Sequence, residues 1–241
     1  TKDKMKELHG LPEDRFRVLN NCLDPYLEHP LPKHKSISLL SKYGLNKDHT
    51  ILLTVSRMAG TEHYKGYDKV LLALPEMIGK YPNLRYMMVG GYDATEKKRL
   101  DELINVLGLK KIIVFTDMIP DEVLAAHFNL ADIFVMPSKK EGFGIVFIEA
   151  MFFGIPVIAG NKDGSVDALC NGELGSLVDP DNKTELTSAL TNILDNREAY
   201  LPDQQKLLQH FSYRKYNDKL KNILKGLLMP ELLLTEIPGV G

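Results

Sequence analysis

The chain of 241 residues is 44% hydrophobic and 26% charged, with a formal net charge of −2 at pH 7, which favours an ordinary globular protein of one large or two small domains. The lack of a basic excess argues against nucleic-acid binding, and no apolar run reaches the roughly 20 residues that a membrane-spanning helix needs. The two cysteines, Cys22 and Cys170, are too far apart to indicate a metal site or a disulfide framework, and they favour buried free thiols in a reducing compartment.

The first part of the chain predicts little regular structure. A short helix is expected at residues 5–8 and a short strand at residues 16–19, and the three prolines within residues 25–35 are typical of a linker. Strands and helices then alternate. Strands are predicted at residues 51–55, 84–89, 111–115, 133–136 and 156–159, and helices at residues 67–81, 96–107, 121–129, 145–153 and 184–194.

This alternation predicts an α/β fold with a doubly wound, parallel, Rossmann-like sheet. Helices of about ten residues between strands provide the crossovers that parallel strands require. Ligands of such sheets bind at the carboxyl ends of the strands. The loops after the predicted strands are therefore where functional residues should lie.

A glycine-rich turn follows the strand at residues 133–136. Glu141, Gly142, Phe143 and Gly144 precede a helix that begins near Ile145. The glycines allow the backbone to approach a ligand, and the free N–H groups of the helix suit a phosphate or a sugar.

The helix after this turn carries a second carboxylate, Glu149, which is expected to face the same crevice as Glu141. A surface turn without function is the plain alternative, because a lone Gly-x-Gly is weak evidence. A dinucleotide fingerprint is disfavoured, since Phe147 stands where the third glycine is needed.

Two further loops belong to the same edge of the predicted sheet. Arg57 follows the first strand and Lys65 precedes the next helix; two such cations commonly neutralise a diphosphate, although either alone would more often be a solvated surface charge. Residues 160–167 follow a later strand, and the Asn, Asp and Ser side chains of that loop could cap the next helix or contact hydroxyl groups of a ligand; capping is the expectation for Ser165.

Taken together, these segments resemble the C-terminal, nucleotide-sugar-binding domain of family 4 retaining glycosyltransferases, which have the GT-B fold. The resemblance runs from about residue 17 to about residue 224, and Glu141 and Glu149 match that family's Glu-x7-Glu signature. Its motifs are NNCLD (20–24), TVSRM (54–58), YKGYDKVLLALP (64–75), LRYMMVGG (84–91), VFTDMIPDEVL (114–124), ADIFVMPSKKEGFGIVFIEAMFFGIPVIAGNKDG (131–164), GSLVDP (175–180) and FSYRKYNDKL (211–220).

The resemblance implies a role for each matching residue. It gives Arg57 and Lys65 the donor diphosphate, Glu141 the transferred sugar and Glu149 the ribose. Backbone groups of the glycine-rich turn, at Gly142, Phe143, Gly144 and Ile145, would bind the sugar and the phosphate. Backbone groups of Met118 and Ile119 would recognise the nucleobase. No metal or other cofactor is expected, because cations and a helix N-terminus replace its electrostatic role.

Two positions depart from the family pattern. Asp117 stands where glycine is common, beside the expected base pocket, and Asn21-Cys22 replaces a common Asn-Gly pair near the interdomain hinge. The first departure leaves the identity of the base open. UDP-glucose or a similar donor is preferred over GDP-mannose.

The resemblance also implies a domain organisation. Residues 1–24 are expected to be the end of an N-terminal domain otherwise absent from this chain, residues 25–48 a linker, 49–205 the donor-binding domain, 206–228 a region whose helix at 213–228 returns to the absent domain, and 229–241 a tail. That absent Rossmann-like domain would supply the site for a glycan or glycolipid acceptor and would also allow peripheral membrane association.

The sequence bears on three classes of function. The leading hypothesis is that the chain is the donor-binding part of a hexosyltransferase of polysaccharide biosynthesis. Such an enzyme would act in the cytoplasm, or at the inner face of the membrane. The alternative is a non-catalytic, sugar-nucleotide-binding subunit that works with a separate chain. A flavodoxin-like receiver or a dehydrogenase is disfavoured because it gives the two cations and two glutamates no shared purpose.

Overall fold

A computed structural model describes residues 2–27 and 35–228 of the chain. Within these residues, six parallel strands form one sheet in the order β3-β2-β1-β4-β5-β6. The strands are β1 (Thr50–Val55), β2 (Leu84–Val89), β3 (Ile113–Phe115), β4 (Ile133–Met136), β5 (Val157–Gly160) and β6 (Ser176–Val178). The predicted doubly wound, Rossmann-like α/β sheet is therefore confirmed.

Helices connect and cover these strands. They are α1 (Lys2–His9), α2 (Ile37–Lys42), α3 (Tyr67–Ala73), α4 (Ala94–Val106), α5 (Asp121–Leu130), α6 (Ile145–Phe152), α7 (Ser165–Ala168), α8 (Lys183–Asp195), α9 (Gln204–Phe211) and α10 (Tyr213–Leu228). Side chains that precede helices satisfy their first N–H groups, as Asp93 does for α4 and Asn182 for α8.

Hydrophobic cores lie on both faces of the sheet. Along β1, Ile51 and Leu53 pack into one core with α5, α6 and α9, while Leu52 packs into the other with α3, α4 and α8. The same alternation separates Phe134 from Val135 in β4. Both faces of the central strands are thus buried, which explains why their sequences are almost continuously apolar.

Some predicted elements differ in the structure. The strand predicted at residues 16–19 was wrong, because these residues pair with no strand of the described sheet and an isolated strand cannot satisfy its backbone groups. The helix predicted at residues 67–81 ends at Ala73 and continues as a 3-10 turn, Leu74–Glu76. Pro75 lacks the N–H that an α-helix would require there.

The flanking segments belong to the same core. Leu23, Leu40 and Phe211 are all buried with the α5, α6 and α9 side of the sheet, and the Leu23 N–H donates to the Phe211 carbonyl oxygen at 2.8 Å. Helix α2 lies inside the predicted linker, and α9 and β6 were not predicted. Residues 28–34 of the linker and the tail at 229–241 lie outside the described residues.

The strand order places a topological switch between β1 and β4. From β1 the chain builds outward through β2 and β3, and from β4 it builds the other way through β5 and β6. The loops that leave the carboxyl ends of β1 and β4 therefore diverge and leave a crevice between them. This crevice is the location that the fold itself favours for a ligand.

Candidate active site

The loops after β1 and β4 are held together across the crevice. The Lys139 N–H donates to the Tyr64 carbonyl oxygen at 2.9 Å. Gly66, with φ of 77°, lies so close to the end of β4 that a Cβ atom there would be 2.3 Å from the Pro137 carbonyl oxygen. A side chain at Gly66 would force these loops apart, so the sequence needs glycine there.

Lys65 and Glu141 form an ion pair in this crevice. The Lys65 ammonium donates to Glu141 Oε2, and the two side chains are only 17% and 16% exposed. The structure thus brings together one predicted phosphate-binding cation and the predicted sugar-binding carboxylate. Partial burial strengthens their attraction relative to a surface pair.

Arg57 lies at the rim and has a different partner. Its guanidinium donates to Glu62 Oε1 from Nη2 at 2.6 Å and from Nε at 3.2 Å, and its side chain is 66% exposed. The hydrogen bond and charge of Glu62 raise the pKa of Arg57. Glu62 was not singled out from the sequence, because nothing in its spacing distinguishes it from other surface glutamates.

The glycine-rich turn has the predicted position at the start of α6. Gly144 has φ of 82° and precedes the first helical residue, Ile145, whose side chain is exposed. Gly142 is exposed, whereas Phe143 is buried and packs edge-on against Phe211 at 5.6 Å between ring centroids. The phenyl ring anchors the turn, and among the described residues the N–H groups of Gly142, Phe143 and Gly144 donate no hydrogen bond, so they are available to a ligand.

Asp163, in the loop after β5, fixes the backbone of the turn. Its Oδ2 accepts from the Glu141 N–H and from Ser138 Oγ, both at 2.7 Å, and its Oδ1 accepts from the Ser165 N–H at 2.9 Å. The prediction that Ser165 caps α7 was wrong: its hydroxyl is buried beside Ser138, and Asp163 receives the helix N–H instead. The composition of the loop at residues 160–167 indicated a capping or ligand-contacting role, but it did not show which side chain would make the contacts.

Glu149 occupies a less polar environment on α6. Burial, and then the negative charges of Asp24 and Asp121, raise the pKa of its carboxyl. Among the described residues, none donates a hydrogen bond to this carboxylate. A partly buried acceptor without a donor is suited to hydroxyl groups supplied by a ligand.

The predicted base-binding residues lie after β3. Met118 is 81% exposed, and Ile119 packs against the core. Asp117 adopts a left-handed conformation with φ of 60°, and its Oδ1 accepts a hydrogen bond from the Tyr92 hydroxyl. No hydrogen bond or ion pair between described residues links Glu149, Met118 or Ile119 to the Lys65–Glu141 pair.

A groove of about 1020 Å³ runs along the glycine-rich turn. One wall is the turn from Glu141 to Ile145, and the other is formed by residues 16–21 and by Lys2 and Met5 of α1. The polypeptide that precedes the predicted linker thus lies beside the predicted sugar-binding loop. The groove is open enough for a ligand the size of a sugar nucleotide.

Two classes of feature are absent from the described residues. Within residues 2–27 and 35–228, no three His, Cys, Asp or Glu side chains are grouped so that they could hold a metal ion. In the same part of the chain, no helix combines the length and apolar character needed to cross a membrane. The two cysteines are free thiols, and both are only partly buried, not fully buried as expected.

The six-stranded parallel sheet with its flanking helices is the Rossmann-like α/β fold found in GT-B glycosyltransferases. Residues 37–218 match the family model for glycosyl transferases group 1, and the chain belongs to this family. A similar protein, the GDP-mannose-dependent alpha-(1-6)-phosphatidylinositol monomannoside mannosyltransferase of Mycolicibacterium smegmatis, is 32% identical over 77% of this chain and 50% of its own length.

Solved structures share the fold. Sucrose-phosphate synthase from Thermosynechococcus elongatus has a TM-score of 0.74 at 25% identity, over 89% of this chain and 53% of that one. Anabaena HepE in complex with UDP has a TM-score of 0.69 at 22% identity, over 78% and 52% of the two chains. The chain thus spans about half the length of these relatives.

Proposed function

We propose that this chain is the donor-binding half of a retaining glycosyltransferase of family 4, which transfers a hexose from a nucleoside diphosphate sugar to a glycan or glycolipid acceptor. The observation that carries the proposal is the Lys65–Glu141 pair at the switch point, beside the glycine-rich turn and the start of α6. A cation for phosphate and a carboxylate for sugar hydroxyls lie in contact there. A sugar diphosphate joins these two chemical groups in one molecule.

The proposed reaction is transfer of the sugar with retention of configuration at the anomeric carbon. The bond between the anomeric carbon and the diphosphate breaks while a bond to the acceptor hydroxyl forms on the same face of the sugar. Lys65 and Arg57 stabilise the negative charge that grows on the departing diphosphate. The acceptor proton passes to a phosphate oxygen of the leaving group. Glu141 and the N–H groups of Gly142, Phe143 and Gly144 orient the sugar.

The nucleoside is assigned to the loop after β3 and to α6. Glu149 would accept hydrogen bonds from the ribose hydroxyls, and backbone groups of Met118 and Ile119 would contact the base. HepE was solved with UDP, whereas the mycolicibacterial relative is named for GDP-mannose. UDP-glucose is the donor that we propose, and GDP-mannose is the alternative. Binding measurements should compare the affinities of the two.

The acceptor site is assigned to a second domain. Tyr213, Leu224 and Leu227 of α10 are exposed in the described structure, and an apolar helix face of this kind suits packing against another domain. That domain would also carry any peripheral association with a membrane. A non-catalytic, sugar-nucleotide-binding subunit is the second candidate, favoured by a groove whose wall facing the glycine-rich turn is formed, among the described residues, by residues 16–21 with Lys2 and Met5 rather than by a second Rossmann-like domain.

Calorimetric titration with UDP, UDP-glucose and GDP-mannose tests the donor site. Replacing Lys65 or Arg57 with alanine should weaken nucleotide binding about ten-fold or more, since a hydrogen bond to a charged group contributes about 1.5–3 kcal/mol. Lys98→Ala is the matched control, because Lys98 is an exposed lysine of α4. Wild-type affinity in the Lys65→Ala variant would remove the basis of the proposal.

A further inference from the structure

Lys65 lies on a short turn that is attached at two points to one buried carboxylate. The turn is a 3-10 helix, His63–Lys65, that leads directly into α3. His63 Nε2 lies 2.6 Å from Glu96 Oε2, and the Tyr67 hydroxyl donates to Glu96 Oε1 at 2.9 Å. The residues two positions before and two positions after Lys65 therefore contact the same side chain.

Glu96 is itself rigidly held in α4. It is 1% exposed, and Arg99 donates to its two oxygens at 2.6 and 2.9 Å. Burial opposes ionisation of this carboxyl, but the hydrogen bonds from Arg99, His63 and Tyr67 outweigh it and hold its pKa at about 2. The buried carboxylate is therefore a fixed acceptor at neutral pH.

The opposite side of the turn is equally constrained. Gly66 is pressed against the Pro137 carbonyl oxygen at the end of β4, and the Tyr64 carbonyl oxygen accepts the Lys139 N–H. The backbone of Lys65 is thus held between α4 on one side and the loop after β4 on the other. A lysine side chain is long and flexible, so fixing its backbone removes much of the freedom that ligand binding would otherwise have to restrict.

We propose that Glu96, acting through His63 and Tyr67, is a positioning residue that fixes Lys65 for the diphosphate of the donor. The inference rests on the function proposed above. It assigns a role in ligand affinity to residues grouped around a buried carboxylate, none of which lines the groove beside the glycine-rich turn. A purely structural role for Glu96 would stabilise the fold without any particular effect on diphosphate binding.

His63 offers the cleanest test, because its removal leaves the Glu96–Arg99 bonds intact, whereas changing Glu96 would also leave Arg99 with only Asp68 as a carboxylate partner among the described residues. UDP and uridine are titrated into the parent chain and into His63→Ala, His63→Gln and Tyr67→Phe variants. The His63→Ala change should weaken UDP binding about three- to ten-fold and leave uridine binding unchanged. His63→Gln retains an N–H donor and should restore most of the affinity. Tyr67→Phe should behave like His63→Ala.

A double-mutant cycle with Lys65 separates positioning from general damage. In the Lys65→Ala background, His63→Ala should cause no further loss of UDP affinity, because no ammonium remains to be positioned. Equal losses for UDP and uridine, or a full additional loss in that background, would overturn the inference. If Lys65→Ala itself leaves UDP affinity unchanged, the proposed donor site fails; if only His63→Ala does, the positioning role alone fails.

Discussion

Each of the two cations of the site faces a carboxylate in the free protein. Lys65 is paired with the half-buried Glu141, and Arg57 with Glu62 at the rim. Because most of the Arg57 side chain is exposed, solvent screens its attraction to Glu62, and a diphosphate can replace that carboxylate at little cost. Glu141, in contrast, stays beside the sugar in the proposed complex, so that Lys65 can bridge sugar-binding carboxylate and phosphate.

The Glu149→Gln substitution should raise stability and lower nucleotide affinity together. The folded protein raises the pKa of this carboxyl by burial and by Asp24 and Asp121, so the charged form is unfavourable there and glutamine removes it. The lost charged acceptor should weaken nucleotide binding by about 1–3 kcal/mol. Thermal unfolding at pH 7 and calorimetric titration measure the two effects.

The pH dependence of the Glu149→Gln effect follows from the sign of the shift. Because the folded-state pKa lies above the unfolded value, the folded state binds the proton more tightly, and stability falls as the pH rises through that interval. The stability advantage of Glu149→Gln should therefore be full above the folded pKa and shrink as the pH falls toward the ordinary value of 4.5. A constant advantage at every pH would assign the effect to packing.

The sequence pattern predicted the candidate site residues more successfully than it predicted the residues that contact them. Glu141 and the glycines were predictable, because a strand followed by a glycine-rich turn and a helix is a local pattern. Asp163 and Glu62 were missed as partners, since their contacts depend on how separate loops approach each other in space. The Glu96 cluster was missed for the same reason: its members come from different elements and no short motif contains them.

At the level of elements, the loop after β5 is packed tightly onto the glycine-rich turn. A Cβ atom at Gly164 would lie 2.1 Å from the Gly142 carbonyl oxygen, and the Gly164 N–H donates to the Glu141 carbonyl oxygen at 2.9 Å. Gly164→Ala should therefore separate the loops and reduce the free energy of unfolding by about 1–3 kcal/mol. Denaturant-induced unfolding measures this change.

Gly142→Ala is the control for that prediction. Gly142 belongs to the adjoining turn, and a Cβ atom there would meet no atom within 4 Å. Its replacement should change the free energy of unfolding by no more than about 0.5 kcal/mol. Equal changes in the two variants would show that steric contact at Gly164 does not account for the loss.

Elements with strong periodicity were predicted well. The bounds of β2 and β4 are as expected, because short apolar runs that end at glycine or proline are typical of buried parallel strands, and α10 has the bounds that the family resemblance implied. β6 has only three residues and follows a turn, so its sequence carries little pattern of its own. Residues 16–19 have strand-forming composition but no neighbouring strand, which only the three-dimensional arrangement reveals.

At the level of the whole molecule, donor binding and sugar transfer should be separable. Positioning of donor against acceptor supplies much of the rate of such a reaction, and the acceptor wall is assigned to a second domain. The 241-residue chain should therefore bind a sugar nucleotide without transferring its sugar to an acceptor. Calorimetry combined with a glycan-acceptor assay measures both properties. Sustained transfer by this chain would show that it contains, or forms with another copy, a complete active site.

The two edge strands of the sheet bear on whether this chain aggregates in concentrated solution. β3 and β6 form the margins and are three residues long each, and exposed Lys110 and Lys111 precede β3. A long, uncharged edge strand can form backbone hydrogen bonds with a strand of another molecule. Strands this short present few free N–H and C=O groups, and the lysines repel an approaching copy. Growth of the sheet from one molecule into the next is thereby disfavoured.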